Sequence, residues 1–97
     1  MKAIFNLNCD CGRMGNLEGL FTANISDVEN IIGKHIYFGE VLGKHSDING
    51  VLEKSDIEML SDDQKFIEKF ETIMGSGTIS GINPFDYYEG ENEEEYE

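Results

Sequence analysis

The residues best placed to do chemistry are concentrated in one short stretch, GKHIYFGEVLGKHSDING, residues 33–50, where the tripeptide Gly-Lys-His occurs twice, ten positions apart. Both histidines and two of the six lysines lie there, in a chain of formal net charge −13. Lys44, His45 and Ser46 offer an ammonium, an imidazole and a hydroxyl on a loop opened by Gly43, where backbone amides can also face an anion. Lys34 and His35 repeat the first two groups, and Tyr37 or Phe38 could stack on a base. Arg13, the one arginine, sits in the glycine-bounded CDCGRMGN connection and has the forked geometry that clamps phosphate or carboxylate. The plain alternative is two glycine-punctuated turns that happen to share a tripeptide. On one continuous strand the two copies would stand roughly 33 Å apart, so a fold-back or a second copy of the chain is needed to unite them.

Other chemistries are less well supplied. Cys9 and Cys11 are too close in sequence to close a useful disulfide loop, and Asp10 between them should hold both thiols protonated. The Cys-x-Cys spacing with two scattered histidines does not match a zinc site, so neither metal nor cofactor is expected. GSGTISG, residues 75–81, follows a helix, whereas a phosphate loop follows a strand and opens a helix. His45-Ser46-Asp47 are contiguous, while catalytic trios are assembled from separate elements. No catalytic residue is assigned, and the chain reads as a binding protein rather than an enzyme.

These groups have to be positioned by a small scaffold. Ninety-seven residues with 39% hydrophobic content allow one core. The elements expected are strands over 2–8 and 17–23 and a short helix behind a Ser26–Glu29 capping box, stopped by Gly33. A central strand over 35–42 follows, then short strands at 51–52 and 57–60, and a helix over 62–74 behind a Ser61–Gln64 box. Phe66, Ile67, Phe70, Ile73 and Met74 recur at helical spacing and should pack on the sheet. Residues 77–82 form a last extended segment before the Asn83-Pro84 turn. The class is α+β: a single small domain over 1–88, with a mainly antiparallel sheet and two helices packed on one face. Residues 89–97 are expected to be a disordered acidic tail.

Acidity limits the partners. From Asp86 onward there are seven carboxylates and no basic residue; removing them leaves 13 acidic against seven basic side chains, a net of −6. Direct nucleic-acid binding is disfavoured by that balance. An acidic surface can instead block a basic site on another protein, including by mimicking nucleic acid, with Asp86–Glu97 and the exposed face of the second helix as contacts. No run approaches the roughly 18 apolar residues of a membrane span, and no leader is evident, so the protein is expected in the cytoplasm, that of the host cell if it is viral.

FGEVLGKHSDINGVL, SDDQKFIEKF and GINPFDYY together resemble small accessory proteins of tailed bacteriophages, over residues 37–88. The resemblance implies a protein that acts on the host, including inhibitors of bacterial defence, some of which sequester a nucleotide signal without cleaving it. It attaches no role to any residue. Two functions are therefore carried forward. One is capture of a small anionic, nucleotide-like ligand by Lys44, His45, Ser46, Arg13, Lys34, His35 and Tyr37, with homo-oligomerisation deepening the site. The other is inhibition of a basic host protein through the acidic surface.

Overall fold

The computed structural model describes residues 1–12, 15–43 and 47–88. The fold is α+β, with elements in the order β1 (Lys2–Asp10), β2 (Asn16–Asn24), α1 (Ile25–Ile31), β3 (His35–Gly39), β4 (Ile48–Val51), β5 (Ile57–Ser61), α2 (Gln64–Met74) and β6 (Thr78–Gly81). This is the expected sequence of elements. They form a four-stranded antiparallel sheet, β5-β1-β2-β6, and a separate antiparallel hairpin, β3-β4. Among the described residues no helix is long and apolar enough to cross a membrane.

The long β1-β2 hairpin pairs nine residues, from Lys2–Asn24 to Asp10–Asn16. Side chains alternate across a strand, so Ala3, Phe5 and Leu7 share one face with their partners Ala23 and Phe21, while Lys2, Ile4 and Asn6 share the other with Thr22 and Leu20. Val28 and Ile31 of α1, Ile36 and Phe38 of β3, and Ile48 and Leu52 cover the first face and complete the core. Helix α2 lies on the second face: Glu71 accepts from Lys2 Nζ at 3.0 Å and from Thr22 Oγ1 at 2.8 Å. The two helices thus take opposite faces, not the single face expected. The cause is in β1, where Ile4 and Phe5 are both apolar and both buried, so each face needs a cover.

Three local expectations are corrected. Segment 35–42 is not a central strand: β3 ends at Gly39, which has φ +77°, and pairs only with β4. The Ser26–Glu29 box does not cap α1, because β2 stays paired through Asn24 and Ile25 N–H donates to Met1 O, starting the helix one residue before Ser26. At α2 the cap is Asp63, whose carboxylate accepts from the amides of Lys65 and Phe66. Gln64 instead donates to Lys2 O at 2.7 Å, tying the helix start to β1. Gly33 and Gly75 follow the two helices at φ +92° each, a conformation that glycine tolerates best.

Candidate functional site

A recess of about 250 Å³ lies between the turn end of the β1-β2 hairpin and the β3-β4 hairpin. Its apolar floor comes from Leu7, Leu17, Phe38 and Leu52, which the strand alternation turns toward the core. Its polar wall comes from Asp10 at the end of β1, Asp47 before β4, and Asp56 in the 3-10 turn Lys54–Asp56. Residues 49–51 of β4 form one side. That strand pairs only with β3, so its other edge is unpaired within the described structure, and an unpaired edge offers backbone donors and acceptors.

The polar groups are held by local bonds. Asp10 Oδ1 accepts from Gly12 N–H at 2.8 Å. Asp56 Oδ2 accepts from Glu53 N–H at 2.9 Å. Lys2–Glu71 is the one ion pair among the described residues, so no described cation neutralises Asp10, Asp47 or Asp56. Burial pushes the Cys9 thiol up to about 11, helped by the charges of Asp56, Cys11 and Asp10. Cys9 is therefore a thiol at neutral pH and a poor nucleophile. No three described His, Cys, Asp or Glu side chains converge closely enough to hold a metal ion.

The residues singled out for anion capture fall into two groups. Arg13, Lys44, His45 and Ser46 lie outside the described residues, as does the tail 89–97. Lys34, His35 and Tyr37 are described, and all three are exposed. His35 and Tyr37 alternate with the buried Ile36 and Phe38, so they occupy the outer face of β3. There His35 Nε2 pairs with Asn49 Oδ1 at 2.8 Å, and its ring centroid lies 5.8 Å from that of Tyr37. Lys34, His35 and Tyr37 do not line the recess. Phe38, offered as a stacking ring, is in its buried floor.

One link between the loops does form. A methyl group added at Gly15 would lie 3.9 Å from Leu42 Cδ1, so these two residues are neighbours. Sequence reasoning missed the three aspartates as a set. Asp10 drew notice only for its effect on the thiols and Asp47 only within the contiguous His45-Ser46-Asp47, because Asp10 and Asp56 lie 46 positions apart and nothing local joins them. Comparison of the chain with protein-family models, curated proteins and solved structures finds no match.

Proposed function

We propose that this protein acts by binding without turnover, as an acidic accessory protein that engages a basic partner protein through the recess. The observation that carries the reading is the wall of Asp10, Asp47 and Asp56 over an apolar floor. A lysine or arginine side chain suits that arrangement, its methylene stem on the leucines and its charged end among the carboxylates. Size argues the same way: about 250 Å³ is below the roughly 300–1,000 Å³ of usual small-ligand pockets, and it fits a side chain better than a whole nucleotide. The free edge of β4 can bond the backbone that carries such a side chain. A chain at −13 would also attract a basic partner over distance. The resemblance to phage accessory proteins supports a host protein as the target.

Fluorescence anisotropy with labelled extended peptides tests this. A lysine-centred peptide should bind, and the same peptide with norleucine should not. Binding should weaken with added salt, and Asp47→Asn or Asp56→Asn should each weaken it by about two- to fivefold, as expected for partly exposed charge pairs. Capture of a small anion by Arg13, Lys44, His45 and Ser46 is the second reading, supported by the close approach of Gly15 to Leu42. Calorimetric heat with nucleotides, lost in Lys44→Ala, together with no peptide binding, would replace the first reading with the second.

A further inference from the structure

Helix α2 was expected to bury its apolar side against the sheet, and it buries only part of it. Ile67 is 2% exposed, whereas Phe66 is 52%, Met74 54% and Ile73 78% exposed. The reason is rotational. Gln64 and Glu71 reach back to Lys2, and together with Ile67 they define the side of the helix that meets the sheet. Phe66, Phe70 and Ile73 stand at i, i+4 and i+7, so they form a stripe of their own, roughly a third of a turn away. Asn6 and Leu20, the next cross-strand pair after Ile4–Thr22 on this face, are half-buried.

We infer that this stripe on α2 is the interface at which two copies of the chain associate. Phe66 and Ile73 together expose roughly 250 Å², at about 190 Å² for a large apolar residue. That is about a third of the ~800 Å² that each partner contributes to a standard interface, with Met74, Phe70 and the helix flanks left to complete it. An apolar stripe is complementary to itself, which is what a two-fold interface between identical surfaces requires. Charge permits the same face. Between Gln64 and Met74 the two lysines, Lys65 and Lys69, balance Glu68 and Glu71, so the helix adds no net charge of its own to the repulsion between two chains of −13.

Sedimentation velocity on the full chain decides it. The wild type should sediment at twice the 10.9 kDa chain mass at about 100 µM. Ile73→Lys and Phe66→Lys should each return it to the monomer, raising the dissociation constant by on the order of 10–100-fold, because a two-fold interface counts every substitution twice. Both should retain the native circular dichroism, since neither side chain is buried. Thr72→Lys adds the same charge one position away but off the stripe, and should leave the dimer intact. A wild type that stays monomeric at this concentration overturns the inference. So does a dimer that survives Ile73→Lys, or one that Thr72→Lys dissociates as effectively.

Discussion

Two glycines carry the crossing of β2 and β6, and replacing one tests the packing directly. Gly19 pairs with Gly81, and a methyl group on Gly19 would lie 2.6 Å from both the nitrogen and the carbonyl carbon of Ile82 and closer still to its oxygen. Carbon atoms in contact prefer roughly 3.5–4.0 Å, so Gly19→Ala has to push this backbone away by about 1 Å or more. Ile82 is held there by its own N–H, which donates to Glu18 O at 2.9 Å. Displacing it should break the short β6 pairing and lift the Pro84–Asp86 turn, whose Phe85 ring sits edge-on to Phe21 with centroids 6.0 Å apart. Two or three ladder bonds at about 1 kcal/mol and partial loss of Phe85 burial give a cost of roughly 3–5 kcal/mol. That is a large share of the roughly 5–15 kcal/mol typical of a whole domain. Gly50→Ala is the control, because nothing lies within 4 Å of a methyl there and its φ is ordinary. It should fall within about 0.5 kcal/mol of the wild type. Urea unfolding followed by circular dichroism measures both. A loss below about 1 kcal/mol for Gly19→Ala, or equal losses for the two variants, would refute the crossing.

Two further outcomes follow from buried polar groups. Thr22 Oγ1 accepts from Gly77 N–H at 2.9 Å and donates to Glu71, so Thr22→Val should cost about 1.5–3 kcal/mol at neutral pH. The Thr22 bond and the Lys2 contacts hold the Glu71 carboxyl below its usual range. A depressed carboxylate stabilises the fold above its unfolded value and loses that contribution as pH falls through the folded one, so chemical denaturation at about pH 3 should show a smaller gap between wild type and Thr22→Val. Cys9, raised from 9.0 to about 11, should be alkylated by iodoacetamide about 100-fold more slowly at pH 8 than a free thiol, as read by mass spectrometry of Cys11→Ser. Its sign is the reverse: stability attributable to the neutral thiol is intact below about pH 9 and lost as pH rises toward 11, so a fast-reacting Cys9 or a flat alkaline profile would contradict its placement.

Local rules located the elements, and long-range packing decided how they are used. Alternation and glycine punctuation were enough for β1, β2 and the order of all eight elements, because period and turn chemistry act over a few residues. Which sheet β3 would join was not legible, since HIYFG fits a central strand or an isolated hairpin equally well. Both capping boxes failed for the same reason. Asn24 stays in the β2 ladder and Gln64 is drawn to Lys2 O, and each preference comes from a partner distant in sequence. The stripe on α2 was found by its spacing, but spacing does not say which of two adjacent helix sides the sheet takes. That choice was made by Glu71, through Thr22 and Lys2, 49 and 69 residues away. The candidate site divided along the same line: a run of cationic residues is visible in sequence, whereas Asp10, Asp47 and Asp56, from separate elements, come to line one recess only in the fold.

The placement of the two surfaces bears on how they would work together. The recess opens at the Cys9–Cys11 end of the β1-β2 hairpin, on the face covered by α1 and the β3-β4 hairpin. Helix α2 lies on the opposite face, bonded to Lys2 and Thr22 toward the other end of the hairpin. Association through α2 therefore leaves both recesses uncovered, so the dimer would present two identical acidic sites. Against a partner with two basic segments the second contact becomes intramolecular, and avidity can exceed single-site affinity by roughly 10²–10⁴ where the geometry lets both engage. Peptide affinity and oligomeric state are then separable. Ile73→Lys should leave the anisotropy of a single-site peptide unchanged while abolishing the gain seen with two linked copies of that peptide. If the single-site affinity drops as well, the recess depends on the dimer, and the two surfaces are not independent.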